Sequence, residues 1–406
     1  MRKNLYLSLF VLMAAALVLS ACGPAATPTP QTVVQTQIVP VTQMVEITST
    51  PGPADATPLP EGSVQITGAG ATFPLPLYSQ WTYAFQYVDP SVAVNYNGVG
   101  SGAGKTAIIQ NTVDFAGSDS LLSDQNYTDG KDLQMYPMVA GAVVPVYNIA
   151  FKPVPTPEAG KTAIKLPALV LDRQTLVDIY NGKITTWDDP KIMALNPGLK
   201  DYMPANAKIT TVHRSDGSGT TEVFTKSLTS FSADWTAGGA QSVEWPIKSS
   251  LGGKGNPGVA ALVVSTPNSI GYVELAYALS NSLPFASLVN KAGQTVVANG
   301  DSVNSAMADF AAAFDNNPKL TATIVDAPGA GSWPIAGYTY IILHTTSMTD
   351  CTKAAKILEY LQWSLNDPGA ASIASKLGYS VLPDAVKAKV LDAYKQVTCN
   401  GQPVLK

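Results

Sequence analysis

The chain has 406 residues, 46% of them hydrophobic, with a charged fraction of 13% and a formal net charge of −4. That length and apolar content allow two domains with real cores and exclude a chain that is disordered throughout. The sparse, slightly acidic charge excludes a nucleic-acid binder, which needs a basic field, so any anion must be held by local donors.

The first segment is an export signal. Arg2 and Lys3 precede the apolar run 5–19, which stops at Leu19-Ser20-Ala21-Cys22. Residues 1–21 therefore read as a signal peptide, too short and wrongly flanked for a membrane span. Leu-Ser-Ala-Cys resembles the bacterial lipobox, which implies cleavage before Cys22 and lipidation of its thiol; the alternative is simple secretion with Cys22 lost or free. Either way the mature chain works outside the cytoplasm, where no ATP pool is available. Residues 22–61 carry Thr-Pro pairs at Thr27-Pro28, Thr29-Pro30, Thr50-Pro51 and Thr57-Pro58. They read as a lipid-anchored tether, whose extended polyproline conformation would hold a domain up to roughly 100 Å from a membrane.

After the tether, strands alternate with helices. A strand is expected at 64–67, a helix at 74–87, a strand at 93–96 and a helix at 105–111, followed by a turn through 114–117. A long β-rich run covers 139–150, a helix 173–180, a strand 208–213 and a helix 222–228. Further strands are expected at 270–273 and 338–343, and helices at 306–314, 352–365 and 385–394. Alternation of this kind means an α/β fold with mostly parallel sheets, whose ligands gather where strands feed helix starts.

Three glycine-rich turns occupy such places, at 67–74, 96–106 and 213–221. The third, His213-Arg214-Ser215-Asp216-Gly217-Ser218-Gly219-Thr220-Thr221, combines a planar cation, glycines and hydroxyls ahead of a helix. It reads either as a serine-capped helix after a tight turn or as an anion cradle built from unpaired N–H groups. The second ends in Gly104-Lys105-Thr106 like a nucleotide-binding loop, but the motif's first glycine would fall on Val99, and the compartment supplies no nucleotide. Gly98, Gly100 and Ala103 mimic a dinucleotide fingerprint on equally weak terms.

Catalysis has little to stand on. Ser218 lacks the glycine two residues upstream that a nucleophile elbow needs, because Asp216 occupies that place. His213 is expected to pack behind its turn, since neighbouring strand residues face opposite ways, and His344 to be structural. No Cys/His/Asp cluster has metal-ligand spacing. Asp119 reads as a helix cap or as an acceptor for a protonated oxyanion. Phosphate near neutral pH keeps a proton that an ionised aspartate can accept, whereas sulfate has none and would face an unpaired acceptor. Cys351 and Cys399, an isolated pair in an exported chain, are expected to form a structural disulfide.

Several segments in order resemble the phosphate-binding proteins of bacterial ABC importers: 67–74, 95–101, 111–119, Gly182-Lys183-Ile184 with Trp187-Asp188, 214–220, 252–256 and 270–274. The resemblance implies phosphate contacts from Thr72, Phe73 through its N–H, Ser101, Asp119, Arg214, Ser218, Gly219 and Thr220. It gives Asp216 the role of orienting Arg214, where an Asx turn is the other reading. The implied fold is two-lobed and periplasmic-binding-protein-like, with a ligand cleft between the lobes. Residues 62–145 plus 333–406 form one lobe and 146–332 the other. The segments 182–188 and 252–256 read as structural or as surfaces for the transporter. Ala116-Gly117 departs from the family's usual Gly-Ala order, and the two late cysteines are not a family hallmark.

The expected function is an extracytoplasmic solute-binding lipoprotein that captures inorganic phosphate for the permease subunits of an ABC importer. It is expected to be a monomer held to the membrane through Cys22, without enzymatic activity, metal or cofactor. Competing readings are a receptor for another tetrahedral oxyanion, an extracellular phosphatase, and a surface scaffold with a vestigial site.

Overall fold

The computed structural model describes residues 62–155 and 165–405. The signal peptide, Cys22 and the tether lie outside the described residues. Its strands are β1 (Val64–Gly70), β2 (Val92–Gly98), β3 (Phe115–Ser118), β4 (Leu133–Asn148), β5 (Val170–Asp172), β6 (Thr210–Arg214), β7 (Leu251–Gly253), β8 (Ser269–Glu274), β9 (Ser287–Val289), β10 (Thr295–Val296), β11 (Ala336–His344) and β12 (Ser380–Val381), with a small final hairpin β13 (Thr398–Cys399) and β14 (Gln402–Pro403).

The main sheet runs β2-β1-β3-β11-β4-β8-β6-β7, with β12 added to β4. Pairing is parallel in the two flanks, β1 with β2 and β3, and β6 with β7 and β8. The strands that join the flanks are antiparallel: β11 pairs with β3 and β4, and β4 with β8. The mostly parallel sheet expected from alternation thus holds on either side of an antiparallel crossover. β4 alone spans that crossover, pairing with β11 up to Ala142 and with β8 from Val143 onward. Nearly every residue of β4 and β11 is buried. Both faces are covered by helices, so these strands show a continuous apolar run rather than alternation.

Helices cover the sheet where apolar residues recur at helical spacing. Leu75–Phe85 buries Leu77, Tyr78, Trp81 and Phe85, and Gly219–Phe231 buries Val223, Phe224, Ser227, Leu228 and Phe231. Cys351–Asn366, Pro368–Lys376 and Asp384–Tyr394 complete the C-terminal region. Cys351 and Cys399 are joined by a disulfide that fixes the last hairpin to the start of the helix Cys351–Asn366.

Candidate functional site

Four helices begin close together: Leu75–Phe85, Ser101–Ile109, Gly219–Phe231 and Gly255–Ser265. The first two follow β1 and β2, and the last two follow β6 and β7. Each is fed by a parallel strand, as strand-to-helix turns in such sheets require. The Ser101–Ile109 helix starts four residues before the sequence reading placed it, because Gly102 and Gly104 read as loop. Gly104 is there for close packing: a Cβ would stand 2.5 Å from Gly70 Cα and 2.9 Å from Ala69 O.

Arg214 ends β6, and its side chain is only 1% exposed. Its Nε and Nη2 donate to Asp216 Oδ1 and Oδ2 at 2.8 and 2.6 Å, and Nη1 reaches Thr220 Oγ1 at 3.4 Å. Burial pushes the Asp216 carboxyl up, but the Arg214 bonds and charge outweigh it, helped by the Gly255 N–H at 3.0 Å. The net effect holds Asp216 below the usual range, as an ionised partner that fixes the guanidinium plane. Asp216 therefore orients Arg214 across two aligned hydrogen bonds.

Asp119 follows β3 and is also buried. Thr339 of β11 donates to its Oδ1 at 2.9 Å, and Ser101 Oγ approaches Oδ2 at 3.4 Å. Burial pushes its carboxyl up to about 7, against the lowering effects of Thr339, the Arg214 charge and Ser101. Ser101 Oγ in turn accepts the N–H groups of Asp119 at 3.3 Å and Gly219 at 3.1 Å. The turn from β6 closes onto Asp119 so tightly that a Cβ on Gly219 would lie 2.5 Å from Asp119 Oδ2 and 2.6 Å from Ser120 N.

Thr72 meets the same cluster through Asn256. Its Oγ1 accepts from the Asn256 N–H at 3.1 Å and from Nδ2 at 2.9 Å, while that Nδ2 also reaches Thr220 Oγ1 at 3.1 Å. The Thr72 and Phe73 carbonyls accept from the Tyr277 and Tyr379 hydroxyls at 2.5 and 2.7 Å. Ser218 caps its helix by accepting from the Thr221 N–H at 3.1 Å. Its own N–H donates to Gln241 O at 2.9 Å, and Ser120 Oγ reaches Gln241 Oε1 at 3.4 Å. Thr72, Phe73, Ser101, Asp119, Arg214, Ser218, Gly219 and Thr220 thus fall in one buried cluster that holds two carboxyls, Asp216 paired with Arg214 and Asp119 bonded by hydroxyls.

The supporting residues were not singled out from sequence. Asn256 lies in a segment read as structural or as transporter surface, yet it is wholly buried at the centre of the cluster. Thr339 sits in a strand whose only visible signal was apolarity, and Tyr277, Tyr379 and Gln241 carried none. His213 turns away as expected: its Nδ1 lies 2.8 Å from Ser250 Oγ and its ring packs on Trp245. His344 pairs with Asp132 at 2.6 Å and faces Ile108 O with its other nitrogen. Among the described residues no group of three or more His, Cys, Asp or Glu is placed to hold a metal, and no helix is long and apolar enough to cross a membrane.

A PBP superfamily domain model matches residues 48–368. The chain is 38% identical over 333 residues to the phosphate-binding protein PstS of Pasteurella multocida (strain Pm70), covering 81% of this chain and 90% of that one. It is 34% identical over 351 residues to the phosphate-binding protein PstS of Methanocaldococcus jannaschii, covering 82% and 87%. Among solved structures, a high-affinity periplasmic phosphate-binding protein (PfluDING) bound with phosphate has the same fold, with a TM-score of 0.61 at 24% identity over 80% of this chain and 93% of that one. The two-lobed α/β fold and the extent of these matches lead to one conclusion: the chain belongs to the PstS family of phosphate-binding proteins, within the PBP superfamily.

Proposed function

We propose that this chain is an extracytoplasmic receptor that binds inorganic phosphate and delivers it to the permease of an ABC importer. The observation that carries the reading is the gathering in one buried cluster of the Asp119 carboxyl, the Ser101 hydroxyl bonded to it, the Gly219 N–H that donates to Ser101, and the Arg214 charge with Thr220 beside it. The donors attract an oxyanion. The carboxyl then selects among oxyanions, because it shares one proton with phosphate. At neutral pH, ionised Asp119 with monobasic phosphate and protonated Asp119 with dibasic phosphate are the same proton count. Sulfate brings no proton, so an ionised Asp119 faces it as an uncompensated charge.

The proposed lobes are 62–145 plus 333–406 on one side and 146–332 on the other, divided three residues beyond the point where β4 passes from β11 to β8. The contacts Thr72–Asn256, Ser101–Gly219 and Ser120–Gln241 then join opposite lobes, as closure around a ligand requires. Lipidation at Cys22, tethering through residues 22–61 and a monomeric state complete the reading. On this reading the chain binds its ligand and does no chemistry on it. Calorimetry on the purified protein tests it: tight phosphate binding and weak sulfate binding at neutral pH are expected, and equal affinities would favour a general oxyanion receptor.

A further inference from the structure

Glu274 ends β8, is fully buried and touches none of the proposed phosphate contacts directly. Its backbone N–H donates to Asn256 Oδ1 at 2.9 Å. Its Oε2 accepts from the Ala276 N–H at 2.9 Å and lies 2.8 Å from the Tyr379 hydroxyl. That hydroxyl also lies 2.7 Å from the Phe73 carbonyl. Oε1 has no hydrogen-bond partner.

The protons can be counted. The Tyr379 phenol has one hydrogen, and the Phe73 carbonyl can only accept it. Were Glu274 a carboxylate, two acceptors would compete for that hydrogen, and one contact would be oxygen against oxygen with nothing between. With a proton on Oε2 the conflict disappears. Oε2–H donates to Tyr379 Oη, Tyr379 donates to Phe73 O, and Oε2 keeps a lone pair for Ala276. Both O···O distances suit O–H···O bonds. The unpartnered Oε1 is then a neutral carbonyl oxygen, far cheaper to bury than half of a carboxylate.

The titratable groups facing Glu274 agree. Tyr379 comes from the segment before β12, Tyr277 from the following helix, and Asp119 from across the cluster; no described cation pairs with it. Burial, reinforced by Asp119, pushes the Glu274 carboxyl well above its usual range despite the bonds from Tyr379 and from the Ala276 and Leu275 N–H groups.

We propose that Glu274 is a positioning residue that works as a neutral acid, holding the Phe73 loop through Tyr379 and the Thr72–Thr220 bridge through Asn256. One side chain and its backbone thereby set both sides of the ligand cluster. The proposal rests on the phosphate reading for its effect on affinity, but the protonation of Glu274 does not.

Infrared spectroscopy of the unliganded protein at about pH 9, where ordinary carboxyls are ionised, should show a carboxylic-acid C=O band that E274Q lacks. A spectrum without that band overturns the proposal. Calorimetry with inorganic phosphate should find Y379F weakened roughly three- to tenfold, the worth of one buried hydrogen bond. E274Q can donate to Tyr379 but not accept from the Ala276 N–H at the same atom, so it should be weakened similarly, and the double variant no more than the worse single, since both act on one chain. Additive losses, or unchanged affinity in Y379F, would also overturn it. If E274Q does not fold, the wild-type titration of the acid band with pH and the Y379F affinity still decide. A wild-type protein that binds no phosphate but shows the acid band would fail the phosphate reading alone.

Discussion

At the scale of single residues, Asp119 makes the sharpest demands. Its carboxyl is raised to about 7 by burial, so in the folded, unliganded protein the protonated form is favoured below about pH 7 and the ionised form above it. The sign follows: stability tied to this group is present below the ordinary aspartate range and is lost as pH rises through about 7. D119N should remove that loss, making the unliganded variant more stable than wild type near pH 9 by on the order of 4 kcal/mol, measured by urea denaturation across pH. On the proposed reading the same titration governs choice of ligand. In wild type, sulfate affinity should rise as pH falls below about 7 and Asp119 becomes a donor, whereas D119N should bind sulfate with little pH dependence. A flat sulfate profile in wild type would remove Asp119 from the selectivity. Asp119 was visible in the sequence as a carboxylate beside small residues, but its environment was not. Thr339, which donates to it, lies 220 residues away.

At the scale of elements, the proposed site depends on four helix starts approaching within hydrogen-bonding distance. Gly219 shows how little room remains. G219A places a methyl group against Asp119 Oδ2 and Ser120 N. Overpacking of this kind costs about 1–3 kcal/mol, so phosphate affinity should fall roughly ten- to a hundredfold by calorimetry. Alanine is a good helix former, so the helix itself should survive. Elements with strong periodicity were legible: Arg173–Tyr180 lies where the spacing put it, and Cys351–Asn366 and Asp384–Tyr394 lie within one residue of it. Elements rich in small residues were not. β3 is Phe-Ala-Gly-Ser and read only as leading into a turn, and Gly255–Ser265 opens on Gly-Asn-Pro-Gly. Tertiary packing rather than propensity decides such segments, as Gly104 shows against β1. The charged and glycine-bearing parts of the site were legible because their chemistry is local. Asn256, Tyr277 and Tyr379 were not, because their partners are distant in sequence.

At the scale of the whole molecule, the α/β alternation was legible and the antiparallel crossover was not. Strand order depends on which edges are covered, and β11 joins the sheet after a long excursion through the other flank. The disulfide acts at this scale as well. Cys351 and Cys399 are 48 residues apart in sequence. Closing a loop of that size restricts the unfolded chain by roughly 4 kcal/mol in the chain-entropy picture. A C351S/C399S double variant should lose up to about that much stability in guanidinium titrations. Its phosphate affinity should be unchanged, because the bridge lies among the C-terminal elements rather than in the ligand cluster. A large affinity loss would mean that the C-terminal hairpin shapes the site.

The partner exchange along β4 has a mechanical meaning. The strand runs unbroken from Leu133 to Asn148, and its pairing passes from β11 to β8 between Ala142 and Val143. Parting the flanks therefore twists a hydrogen-bonded ribbon at that step instead of flexing a slack loop. Such a joint is expected to work like a torsion spring, with a restoring force that grows with angle and a short, repeatable stroke. Spin labels on opposite flanks should show narrow distance distributions both with and without phosphate. A broad distribution in the unliganded protein would show that the joint is slack.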